Sequence, residues 1–390
     1  MLRRTFLAGL GGASLLGAVS PAGPESRAFS LTAGPDGVVY LLWIETEAGS
    51  HALRISRLSG EQWLSPHTVA TGGDDWFVNW ADHPMVVARP GGRLLASWSY
   101  RPSAAAGSKW GLATRIVVSQ DQGRTWTTAA DLGADNTADY SGFIGFSAHA
   151  KGFRAAYLDP ALHGEAQRDA AHVKTLRFAE FSPAGEKTSD VLLDDDVCTC
   201  CPLAVADTAA GPLVVYRDHE SGEIRDISVV RRVKGKWTEP RPVNRDGWRI
   251  NGCPANGAAV QAHGDRVATA WFTGADDVPR VRLALSDDSG AVFRDPVQID
   301  EGSPAGWAGV ALLSDGRTAV SWLEKRPSEP GVGDVMLRLV DRDGKPGEAR
   351  RIAAATSGRE TGIPQMVRSG DRLVFAWRRD GRVRTKILNL

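Results

Sequence analysis

The sequence carries no excess charge of either sign, has few cysteines, and offers almost no long periodic apolar run. Lysine plus arginine number 46 and aspartate plus glutamate number 46, so no net field draws in nucleic acid or an anionic membrane surface. The shortage of apolar residues recurring every three to four positions argues against a helical bundle, and very little helix is expected. Cysteine occurs only four times, and never near the N-terminal leader, which argues against a lipid anchor there.

What is abundant is glycine, at 43, and tryptophan, at 13, a balance that suits many short strands joined by tight turns. Seven segments share one pattern, a turn containing Gly or Asp followed by an apolar run ending in an aromatic. The run from Gly37 ends at Trp43, and the later ones end at Trp98, Tyr157, Tyr216, Trp271, Trp322 and Trp377. Those aromatics are 55, 59, 59, 55, 51 and 55 residues apart. A second short apolar run precedes each turn and two weaker strands follow each aromatic, so each unit reads as a four-stranded blade. The expected fold is an all-β propeller with seven blades favoured and six as the alternative. The seventh unit reaches Leu390 with three strands, so the ring is expected to close by borrowing a strand from the N-terminal side. The aromatics are expected to pack between blades.

Residues 1–25 read as an export signal. Arg3-Arg4-Thr5-Phe6-Leu7 opens it, a Gly/Ala/Leu stretch follows, and Ser20-Pro21-Ala22-Gly23 forms a small-residue exit. The paired arginines resemble a twin-arginine signal, with an ordinary secretory signal as the alternative. The apolar part is too short and glycine-rich to remain as a membrane span. Residues 26–390 are then one propeller domain, expected in the periplasm or secreted.

Ser119-Gln-Asp121-Gln-Gly123-Arg-Thr125-Trp126 matches the Asp-box, and Ser286-Asp-Asp288-Ser-Gly290-Ala-Val-Phe293 is a looser copy. On these the chain resembles the sialidase (neuraminidase) superfamily. Asn79-Trp80-Ala81-Asp82, Cys198-Thr-Cys200-Cys201, Tyr216-Arg217-Asp218 and the run from Asp246 to Gly257 resemble a group of exported bacterial sialidase-like proteins. The resemblance implies a ligand on the face where chain segments lead into the inner strands, and a possible glycoside hydrolase acting on an acidic or modified sugar. It implies that Arg217, Arg225 and Arg359 clamp a sugar carboxylate, that Asp82 is the acid, and that Tyr140 pairs with Glu223 or Glu360 as nucleophile. Where the family's first blade opens on Arg-Ile-Pro or Arg-Leu-Pro, this chain has Ser26-Arg27-Ala28-Phe29, so cleavage of sialic acid itself is not implied. The blander reading pairs Arg217 and Arg225 with Asp218 and Asp226.

All four cysteines fall in two places, Cys198-Thr-Cys200-Cys201-Pro202 and Cys253-Pro254, about one blade apart. Equivalent positions in adjacent blades make them neighbours at the channel mouth. Disulfides are one reading. A thiolate site for copper or zinc built from Cys198, Cys200, Cys201 and Cys253 is the second, and would make the protein a metal-dependent or non-catalytic binding propeller, and a reactive thiol is the third. The expected partner is a carbohydrate or other small molecule.

Overall fold

The computed structural model describes residues 19–105, 111–133, 141–160 and 174–390. The chain forms seven antiparallel sheets in which strands follow one another from the axis outward, a seven-bladed β-propeller. The inner strands are Ser26–Ala33, Met85–Arg89, Gly142–His149, Ala204–Asp207, Ala258–His263, Pro304–Leu312 and Gln365–Ser369. Each packs against the inner strands of both neighbouring blades, and the seventh returns to the first. Four sheets have four strands, the first and fourth have five, and the seventh has three. Among the described residues the only helical pieces are short 3-10 turns, as the lack of helical periodicity requires.

The seven repeat segments are the second strands, for example Val39–Glu47, Pro212–Arg217 and Arg266–Thr273. They are apolar on both faces because each is covered by two neighbouring blades. Their closing aromatics are all buried. Each packs with the preceding blade: Trp43 with Val374 and Ile387, Tyr157 with Val87 and Leu95, Trp271 with Val215 and Val229. The regular spacing in sequence is therefore the spacing of inter-blade wedges.

Ring closure departs from the expectation. Described residues 19–25 add no strand to the seventh blade, which keeps Gln365–Ser369, Arg372–Arg379 and Arg382–Asn389. Pro21 and Pro24 lack an amide hydrogen, which leaves gaps in any ladder this stretch could offer. Side chains close the ring instead. Leu31 N donates to Gln365 Oε1 at 2.7 Å while Gln365 Nε2 donates to Phe29 O at 3.1 Å. Val383 N donates to Ser26 Oγ at 2.9 Å, and Ala22 packs against Val383 and Ile387.

Both Asp-boxes are turns between a third and a fourth strand, the first joining Ala113–Ser119 to Thr127–Leu132. Asp121 Oδ1 accepts from Arg124 N and Thr125 N, and Asp121 Oδ2 accepts from Thr125 Oγ1. These bonds, that from Thr125 N foremost, hold the Asp121 carboxyl down at about 2. Gly123 sits at φ 84°, which an L side chain resists, and Trp126 Nε1 ties back to its carbonyl. Asp288 repeats the arrangement through Val292 N and Ser286 Oγ. Turns of this kind lie at the opposite end of the blades from the segments that lead into the inner strands. They fasten the fold and leave the other face to carry function.

Candidate functional site

The sulfur cluster forms where the third blade hands over to the fourth. Cys198 directly follows the strand Lys187–Val197 and crosses to the fourth blade, its N–H bonding Arg217 O at 3.1 Å. The next turn brings Cys200 to Cys253, in the segment leading to the fifth blade, and the two form a disulfide with Cα atoms 6.0 Å apart. Cys198 and Cys201 remain thiols, both buried, with sulfurs 3.5 Å apart. The sulfurs of Cys198, Cys200 and Cys201 all lie within 4.8 Å of one another. The disulfide and metal readings therefore divide the cluster. One pair is a covalent staple between blades, and the copper or zinc site expected from four thiolates has two free ligands, Cys198 and Cys201, while that staple is closed.

The arginines take different roles. Arg217 is 2% exposed. Its Nε and Nη2 donate to Asn256 O at 2.9 and 2.7 Å, Nη2 also to Phe272 O at 2.8 Å, and Nη1 to Arg225 O at 2.6 Å. Its guanidinium lies 4.7 Å from the Trp248 ring centroid. Four of its five N–H groups thus bind backbone carbonyls of the fourth and fifth blades, which fits a tie between blades rather than a sugar clamp. Arg225 Nη2 pairs with Glu223 Oε2 at 2.7 Å and its Nη1 reaches Cys198 Sγ at 3.4 Å. The expected pairing of these arginines with Asp218 and Asp226 is not what forms. Asp226 instead accepts from Gly247 N and Trp248 N, and Asp218 from His219 N.

Arg359 is exposed, in a 3-10 turn Arg359–Thr361 before the seventh inner strand. Its guanidinium lies 5.4 Å from the Trp80 ring centroid, and Trp80 meets Trp307 edge-on at 5.3 Å. Trp307 is fixed by Asn256, whose Oδ1 accepts Trp307 N at 2.7 Å, and by Nε1 donating to Ala255 O at 3.0 Å. Asn256 thus joins the aromatic pair to Arg217 and the sulfur cluster. Beside this shelf the channel opens as a cavity of about 280 Å³, walled by Asp82, His83 and Gln365 among apolar inner-strand residues.

Asp82 is buried, with Oδ2 accepting from Ser99 Oγ at 2.6 Å and Oδ1 from Phe143 N at 2.8 Å. Burial pushes His83 down, so it is neutral, with Nδ1 directed at Pro84 O and Nε2 accepting from Gln365. Burial pushes Asp218 up to about 6, helped by Asp194 and Glu220. Glu223 is held low by Arg225 and then His219. Burial opposes charge on His219, but Asp196 and Glu223 outweigh it and raise it. Glu360 is exposed, with its carbonyl accepting from Arg378. Tyr140 lies outside the described residues. Arg225, Glu223 and Cys198 come together, a grouping the sequence reading did not make. Arg359 and Asp82 stand on the shelf and the channel wall, on the same face.

Asp218 and Asn256 take places in this site that the sequence reading did not give them. Asp218 is one acidic residue among many in its stretch, and only burial singles it out. Asn256 looks like half of an Asn-Gly turn, and its bridging role exists only once two blades meet.

The family described as BNR repeat-like domain matches residues 49–378. The chain belongs to that family. No curated protein matches it. Among solved structures, this BNR repeat-like chain is similar to an ulvan lyase, a polysaccharide lyase, at 12% identity over 96% of each chain with a TM-score of 0.61. It is similar to a protein of unknown function from Dyadobacter fermentans at 14% identity, over 98% of this chain and 100% of that one, TM-score 0.54. It is also similar to the α-L-arabinofuranosidase Arb93A from Fusarium graminearum at 13% identity, over 96% of this chain and 98% of that one, TM-score 0.53. The BNR repeat-like chain spans 63% of the length of the Hadza microbial sialidase Hz136, at 14% identity and TM-score 0.49.

Proposed function

We propose that the protein binds and processes an acidic sugar at the channel mouth, with Trp80, Trp307 and Arg359 as its seat. The observation that carries this is the exposed Arg359 guanidinium lying over the Trp80 ring. An aromatic face takes the apolar face of a sugar ring, and a guanidinium takes a carboxylate or sulfate through paired N–H bonds. Two proteins of like fold point the same way. The ulvan lyase is solved bound to -[GlcA(1-4)Rha3S]- and the arabinofuranosidase with an iminosugar inhibitor.

Acid and base on this face are Asp218 and Glu223. Asp218 keeps its proton up to about pH 6, while Glu223 is held ionised beside Arg225, and bond cleavage at a sugar uses two such groups of opposite charge state. The clamp falls to Arg359 and Arg225, with Arg217 holding the floor beneath them. Export to the periplasm fits this work.

A panel of uronate-bearing, sulfated, sialylated and neutral oligosaccharides, followed by reducing-end release and by absorbance of unsaturated products, tests the reading. Turnover confined to anionic members is expected. Equal turnover of neutral members, or none of any member, overturns it.

A further inference from the structure

The sulfur cluster is arranged for chemistry that the sugar seat does not use. The Cys198 sulfur lies within 4.8 Å of Cys200, one half of the disulfide. Cys201, its sulfur 3.5 Å away, shares an S–H···S hydrogen bond with Cys198, and Arg225 Nη1 adds a second hydrogen bond at 3.4 Å. Together with the buried Arg217 charge these outweigh burial and lower the Cys198 thiol, favouring its thiolate form. Cys201 is pushed up by burial and by its thiolate neighbour, and stays protonated. The far sulfur of the disulfide, Cys253, belongs to an exposed residue, whereas Cys198 is 1% exposed.

We propose that these four cysteines form a thiol–disulfide exchange centre in which buried Cys198 displaces exposed Cys253 from Cys200. The Cys198 thiolate attacks Cys200 Sγ. The Cys198–Cys200 bond forms, the Cys200–Cys253 bond breaks, and its electron pair leaves on Cys253 as a solvated thiolate. One S–S bond replaces another, so no oxidant or reductant is consumed. The exchanged form presents a nucleophilic sulfur at the rim. Its substrate class is a disulfide of a second molecule: Cys253 forms a mixed disulfide with one half and releases the other half as thiolate. Exchange also unties the fourth blade from the segment leading into the fifth.

Trapping tests this on the intact protein. Native chain is held with N-ethylmaleimide at neutral pH without reductant, then digested and mapped without reduction. The expected product carries maleimide on Cys253 and a Cys198–Cys200 linkage. Cys198→Ser should cut Cys253 labelling by about tenfold or more, because the attacking sulfur is gone. Arg225→Gln, which keeps every cysteine, should slow labelling by about tenfold through loss of the cation beside the thiolate. A Cys200–Cys253 linkage that survives exhaustive treatment, whether Cys198 or Cys201 is labelled directly or nothing is labelled, overturns the proposal. So does unchanged labelling of Cys253 in Arg225→Gln.

Discussion

Arg217→Ala should destabilise the folded ring by about 3 kcal/mol or more, read as a fall in the urea midpoint. Truncation strips partners from three carbonyls at once, Asn256 O, Phe272 O and Arg225 O, in a place water does not reach. Each buried acceptor left without a donor costs about 1–3 kcal/mol, less where the backbone relaxes. The cation stacked on Trp248 is lost as well. Arg217→Lys should recover only a small part, since an ammonium cannot reach three divergent carbonyls from one planar fork. A ligand clamp would behave oppositely, losing turnover with stability kept. A variant that melts like the wild type would contradict the structural role assigned here.

Asp218→Asn should stabilise the protein at pH 7 and not at pH 4, because burial holds the native carboxyl at about 6 against an ordinary value near 4. The sign follows from proton counting. Between about pH 4 and 6 the folded state holds a proton that the unfolded chain has released, so stability falls as pH rises through that window and stays lower above it. A rise from near 4 to about 6 corresponds to about 3 kcal/mol, from which the asparagine's weaker acceptance from His219 N subtracts. A net gain of about 1–3 kcal/mol at pH 7, vanishing below pH 4, is expected from denaturant melts across pH. A variant that loses stability at both pH values would show that the carboxylate is better paired than its burial implies. The same change removes the acid assigned to bond cleavage and should stop turnover on the anionic panel.

Legibility in the sequence followed the physics of each feature. The second strands announced themselves because burial between two blades demands a continuous apolar run, and the aromatics at Trp43 to Trp377 mark a repeated wedge. The Asp-boxes were readable because the turn needs its carboxylate, glycine and aromatic at fixed offsets. The cysteines were rightly placed as neighbours from their blade positions, but which of them bond depends on side-chain direction, which spacing does not encode. Arg217 was read as a clamp residue on similar grounds. An arginine ending a strand at the rim looks like a ligand group, and only the carbonyls of the adjoining blade show where its donors go. Closure by Gln365 and Ser26 was invisible, since it joins residues more than three hundred positions apart through single side chains.

The most direct test of the sugar seat is a titration of tryptophan fluorescence with a uronate-bearing oligosaccharide, run side by side on the wild type and Arg359→Ala. Saturable quenching by the wild type, with affinity about tenfold weaker in Arg359→Ala and an unchanged melting transition, is the result this account predicts. Equal affinity for the two proteins would contradict it and move the ligand away from Trp80 and Trp307.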